Sequence, residues 1–145
     1  MRADFYLLST DPVEATLPRI ARSVKGAGER LLVVSSDADQ LAAIDRTLWE
    51  QLPEEFLAHG PAGAAHAARQ PLLLAETCTA DNAARFVAFA DGQWRDEAFG
   101  FERALLFFDS RTLDAARGTW RMLGEREDVE RHFWKQEGGR WVEGP

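Results

Sequence analysis

The chain has 145 residues, enough for one domain whose apolar core needs neither disulfide nor metal. Its 17 basic and 24 acidic residues give a formal net charge of −7, which repels a phosphate backbone over the whole surface and leaves little room for direct nucleic-acid binding. No apolar run approaches the ~20 residues of a membrane span, and the single cysteine, Cys78, excludes an internal disulfide and a thiol-rich metal site.

Met1-Arg2-Ala3-Asp4-Phe5-Tyr6-Leu7-Leu8 enters a strand-like run without the basic, apolar and cleavable segments of an export signal, so a reducing cytoplasm is the expected location. Residues 5–8 predict a buried strand feeding a helix, with Asp11 as N-cap, Pro12 at the first helical position and Glu14 placed as in a capping box. Pro18 predicts a kink or restart before residues 20–25, and Gly26 and Gly28 mark the stop. Residues 31–34 read as a second buried strand. Ser36-Asp37-Ala38-Asp39-Gln40 starts another helix, in which Leu41, Ile44, Leu48 and Leu52 repeat at helical spacing and Trp49 lies at the edge of the seam. Pro53 ends it, and residues 53–70 predict a long loop with Gly60-Pro61 and Gly63 as turn markers.

Residues 72–75, 86–90 and 104–108 are further strand candidates, the second closed by Asp91-Gly92. A late helix ends at Gly124, and residues 129–135 and 141–142 read as a terminal strand or arm flanked by Gly138-Gly139. Helices alternating with short strands predict an α/β fold with a mostly parallel sheet. No repeat or linker divides the chain, so residues 1–145 are expected to form a single domain.

A helix advances about 100° per residue. On the late helix this gathers Ala115, Ala116, Thr119, Met122 and Leu123 into a small and apolar stripe for packing on the sheet, with Thr112 beside it. Leu113, Arg117, Trp120 and Arg121 cluster roughly opposite, which suits an anionic, aromatic-bearing ligand. The same face also reads as a solvated surface on which Trp120 covers a neighbouring strand beneath snorkelling arginine stems. Position on the wheel does not choose between them. The local charge is positive, since residues 111–121 hold three arginines against one acid, Asp114.

Catalytic chemistry is not legible. There is no Gly-x-Gly-x-x-Gly and no phosphate-binding Gly-x-x-x-x-Gly-Lys-Ser/Thr, and the glycine pair at Gly26 and Gly28 leads into a strand instead of opening a helix. No metal site is expected from His59, His66 and His132, although the first two, seven residues apart, can meet in a folded loop. Cys78 lacks a sequence-evident base, and Ser35-Ser36 lacks the nucleophile elbow. No cofactor is implied.

Three groups of residues recur in a characteristic order: Asp4-Phe5-Tyr6-Leu7-Leu8; Asp45-Arg46-Thr47-Leu48-Trp49 with Phe56-Leu57-Ala58-His59-Gly60; and Arg117-Gly118-Thr119-Trp120-Arg121 before Phe133-Trp134-Lys135-Gln136. Together with Asp91-Gly92 and the Gly138-Gly139-Arg140-Trp141 ending they resemble the chi subunit of bacterial DNA polymerase III, over nearly the whole chain. The resemblance implies a non-catalytic, Rossmann-like three-layer protein, its mostly parallel sheet flanked by helices, in the clamp-loader assembly. Its implied role is to hold the acidic C-terminal tail, ending in Pro-Phe, of single-stranded DNA-binding protein. The family's tail site, an arginine, an aromatic three residues later and an adjacent basic residue, matches Arg117, Trp120 and Arg121. Leu113 stands where the family has a further basic residue, and Trp120 replaces the usual tyrosine.

A second implied surface binds the psi subunit, or a substitute such as a helicase, through Trp49 and Phe56, for which a core role is the alternative. Two other functions compete with this adaptor. One is a small nucleotide-binding α/β enzyme, which the fold allows but no motif supports. The other is a direct single-stranded DNA binder that uses Arg117, Trp120 and Arg121 with Trp134 as stacking platforms.

Overall fold

The computed structural model describes residues 1–9, 11–51, 59–61, 70–137 and 140–144, without the side chains of residues 51, 59 and 60. Among the described residues eight strands, β1 (Arg2–Leu7), β2 (Leu31–Val34), β3 (His59–Pro61), β4 (Leu72–Ala75), β5 (Phe86–Phe89), β6 (Arg103–Phe108), β7 (Glu130–Glu137) and β8 (Arg140–Glu143), form one sheet. Their order is β3-β4-β2-β5-β6-β1-β7-β8, and every neighbouring pair is parallel except β7 with β8. β2 and β4 are buried at all four positions and correspondingly apolar throughout, because helices cover both faces of a parallel sheet.

Alternation along the strands splits the core in two. Tyr6, Val33, Leu74, Leu105 and Phe107 pack under α1 (Val13–Gly26) and α2 (Ala38–Gln51), against Leu17, Ala21, Ile44 and Leu48. On the opposite face Phe5, Leu32, Val34, Phe89, Leu106 and Phe108 pack under α3 (Leu113–Gly124) and a 3₁₀ turn at Asp96–Gly100. The result is a Rossmann-like three-layer α/β arrangement. No helix among the described residues is long and apolar enough to cross a membrane.

Several local expectations change. Asp11 does not cap α1: the N-cap is Pro12, with no side-chain cap bond, while the Thr16 hydroxyl donates to the Pro12 carbonyl (3.1 Å) and Asp11 accepts from Gln136 (3.4 Å). Pro18 does not restart the helix. α1 runs through it, and buried Leu17, Ala21 and Val24 hold both sides of the missing donor against the sheet. α2 starts within the expected entry at residues 36–40, and there Asp37 Oδ1 caps it by accepting from the amides of Asp39 (2.9 Å) and Gln40 (3.3 Å). Its seam buries Ile44 and Leu48, whereas the expected continuation at Leu52 lies outside the described residues.

The expected loop at 53–70 contains β3, paired with β4 in the register His59↔Leu72. Three residues that include glycine and proline carry no strand signal, and Pro61 is tolerated because β3 is the sheet's edge. The terminal arm is an antiparallel hairpin whose first strand pairs with β1.

The hairpin carries a pH-dependent link. His132 on β7 touches Glu143 on β8 through Nδ1 and Glu130 through Nε2 (2.8 Å), and these hydrogen bonds, to Glu143 first and then Glu130, raise the imidazole above its ordinary 6.5. A raised folded pKa means stabilisation that is fully present below 6.5 and lost as pH rises through the raised value. Melting temperatures of wild type and His132→Gln should therefore differ most near pH 5.5 and converge as pH rises past the raised value. A gap that widens with pH would contradict this link.

Candidate functional site

The turn between β6 and α3 fixes how the late helix leaves the sheet. Asp109 Oδ1 accepts from the amides of Arg111 (2.9 Å) and Thr112 (3.3 Å), and the Thr112 hydroxyl accepts from the Asp109 amide (3.0 Å). Burial alone would raise the Asp109 pKa, but the Arg111 guanidinium and these amides outweigh it and hold the carboxyl below its usual range. Thr112 packs onto Gly92, which has φ +76°; a Cβ there would lie 2.8 Å from the threonine side chain. Glycine at 92 thus lets the start of α3 sit against the end of β5.

α3 buries a different arc from the one drawn on the wheel. Ala116 and Leu123 are buried, and Leu113 and Trp120 pack against the same core cluster, whereas Ala115 and Met122 are exposed. The buried arc keeps Ala116 and Leu123 of the expected stripe but exchanges Ala115 and Met122 for Leu113 and Trp120, because leucine and tryptophan there remove more apolar area from water than alanine does. β1 and β7 also present Phe5 and Phe133, register partners in adjacent strands, which need an aromatic cover. The Trp120 ring meets Phe5 edge-on (centroids 5.1 Å, 90°) and Phe133 at 6.5 Å. Trp120 therefore does cover a strand. The guanidinium over it belongs to Arg131 of β7, 4.3 Å from the ring centroid, and not to Arg117 or Arg121.

Beside Trp120 lies a cavity of about 710 Å³. Phe5, Phe108, Leu113, Ala116, Trp120 and Phe133 supply apolar wall, and Ser9, Asp109, Ser110 and Arg117 supply polar groups. Three of the four residues expected at this site thus line one cavity, with Leu113 contributing apolar surface. Arg121 is exposed on the same helix but does not line it. Neither Arg117 nor Arg121 makes an ion pair with a described residue, in contrast to Arg111, which is bound to Asp109. Phe5, Phe108, Phe133 and Arg131 are absent from the sequence-based site. Alternation in Phe5-Tyr6 and Phe133-Trp134 is the signal that separates those on this face from those on the other.

Trp134 points to the opposite face. Its indole donates to Asp4 Oδ1 (2.9 Å) and its ring stacks on Tyr6 (6.3 Å, 14°). A stacking platform built from Trp120 and Trp134 together is therefore divided by the sheet. On α2, Trp49 is 58% exposed, which removes the core alternative for it, and Phe56 lies outside the described residues.

At the C-terminal ends of β1, β5 and β6, where Rossmann-type sheets commonly take ligands, a second cavity of about 520 Å³ is lined by Asp11, Glu14, Asp37, Asp91 and Asp109, with Arg111 the one basic residue in its wall among the described residues. That field repels a phosphate. Cys78 is pushed up to about 11 by burial, with Glu97 adding to the effect, so its thiol stays protonated at neutral pH. Among the described residues, no group of three or more His, Cys, Asp or Glu side chains could hold a metal ion.

Fold and cavities define a three-layer α/β protein of the Rossmann type. A solved structure similar to it is the C-terminal domain of an S. cerevisiae Dbp5 variant bound to a Gle1 variant and IP6, with TM-score 0.57 and 12% identity over 92% of this chain and 90% of that one, a likeness of fold. No curated protein matches the chain. The family model for the DNA polymerase III chi subunit, HolC, matches residues 1–131, and the chain belongs to that family. The family is an accessory subunit of the polymerase, which implies partners within the replication complex.

Proposed function

We propose that this protein is a non-catalytic chi-type adaptor, acting in the cytoplasm as one unit over residues 1–145. It holds the acidic C-terminal tail of single-stranded DNA-binding protein in the α3 cavity, and the surface around Trp49 and Phe56 joins it to the clamp loader through a psi-type subunit or a helicase. The observation that carries this reading is the meeting of an aromatic-walled cavity with Arg117, a guanidinium without an ion-pair partner among the described residues. A terminal phenyl ring suits the apolar wall, the terminal carboxylate suits Arg117, and acidic residues upstream suit Arg121. On a chain of net charge −7 such attraction is local. Leu113 trades one ionic contact for apolar surface. Trp49 lies on α2, across the sheet from α3, so both partners can be held at once.

The test is titration with a labelled peptide ending in Asp-Ile-Pro-Phe. Binding should be micromolar, about 8 kcal/mol, and should weaken with added salt. Removing the terminal Phe should nearly abolish it. Arg117→Ala should cost about 1–3 kcal/mol and Arg121→Ala less, whereas Trp49→Ala should leave the titration unchanged. Equal binding of the full and shortened peptides would refute the tail pocket.

A further inference from the structure

Trp120 borders a cavity large enough to receive its own indole, and an aromatic ring beside an apolar void gains contacts by turning into it. Something must hold it against the wall. Phe5 and Phe133 meet the ring edgewise, but Arg131 engages the residue at both ends: its guanidinium lies over the indole, and its Nη1 donates to the Trp120 carbonyl (2.8 Å). That carbonyl lies immediately before the last turn of α3, near the C-terminal end of the helix, where a cationic donor is favoured. Arg131 does not line the cavity, so it stands behind the wall.

We infer that Arg131 is a positioning residue that keeps the cavity open in the free protein by clamping Trp120 in its wall seat. This rests, for its functional consequence, on the tail-docking reading above. A pocket held open needs no rearrangement when its ligand arrives, so the clamp acts on affinity without touching the tail. Gly124 leaves space for it. A Cβ at 124 would fall 2.7 Å from Arg131 Nη1 and 2.9 Å from Cζ, so even alanine there must displace the guanidinium. Gly124 has no left-handed φ, so alanine fits its backbone.

The experiment compares Arg131→Ala and Gly124→Ala with wild type in two measurements. In the free protein, nuclear Overhauser contacts between the Trp120 and Phe5 rings should be lost in Arg131→Ala and weakened in Gly124→Ala. Their persistence in Arg131→Ala would overturn the clamp, whether or not any tail binds. Tail-peptide affinity should fall about three- to tenfold in Arg131→Ala. It should fall by a smaller factor in Gly124→Ala, although that variant keeps the charge and removes a helix-weakening glycine.

The discriminating step repeats Arg131→Ala in a Trp120→Ala background. No further loss there supports action through the ring, and an undiminished loss overturns it in favour of direct contact with the tail. If wild type fails to bind the tail while the free-protein ring contacts respond as expected, the docking reading falls and the clamp stands. Should Arg131→Ala not fold, Gly124→Ala decides the ring contacts alone.

Discussion

Replacing Asp4 by alanine should destabilise the protein by about 3 kcal/mol, the low end of what breaking a buried ion pair costs. The carboxylate is 0% exposed and accepts from Arg2 Nη2 (3.0 Å), Arg103 Nε (2.6 Å) and the Trp134 indole (2.9 Å), joining β1, β6 and β7 from one side chain. Removing it leaves two guanidiniums converging on an empty site and an indole N–H without its acceptor. The cost stays near the low end because both arginines retain some contact with solvent and can turn outward. Urea unfolding measures it, and a loss below about 1 kcal/mol would show that the network is replaceable. Tail binding should survive wherever the variant is folded, since Asp4 lies on the α1 side of the sheet.

Trp120→Ala has two separable effects. The indole packs on Phe5 and Phe133, so its removal should lower stability by about 2–4 kcal/mol, somewhat less than for a fully buried tryptophan. It should also weaken tail binding by about tenfold to a hundredfold, because a cavity wall disappears. Trp120→Phe separates the two. A phenyl ring keeps the edgewise contacts and should recover most of the stability, while leaving a wider pocket and intermediate affinity. Full-strength binding by a folded Trp120→Ala would remove this residue from the site. Arg117→Ala is the comparison: being exposed, it should change stability by no more than about 0.5 kcal/mol.

The sequence revealed most of the fold where an element's own residues decide its state. The apolar runs of β2 and β4, the helix entry at residues 36–40 and the seam through Ile44 and Leu48 are local signals and appear in the structure as read. β3 was hidden because its pairing depends on β4 and not on its own glycine and proline. The wheel of α3 placed Ala116 and Leu123 on the packing face as found, but centred that face on Ala115, Thr119 and Met122 and left Leu113 and Trp120 outside it. What turns the helix is the pair of rings at Phe5 and Phe133, brought side by side by the parallel pairing of β1 with β7. No periodicity within α3 carries that information. Arg117 and Trp120 were legible as a pair by spacing and resemblance, and Arg131 was not, since its relation to Trp120 exists only once β7 has joined the sheet.

The place of β1 inside the sheet also bears on how the protein is made. Its two neighbours are Arg103–Phe108 and Glu130–Glu137, so of this sheet's strands the one made earliest is among the last to be enclosed. Pairings so distant along the chain carry a high loop-closure cost and form slowly. During synthesis the apolar residues Ala3, Phe5 and Tyr6 stay open to misassociation until β7 is translated. Synthesis of β7, and not of the first half of the sheet, is therefore the event that commits β1 to its native place.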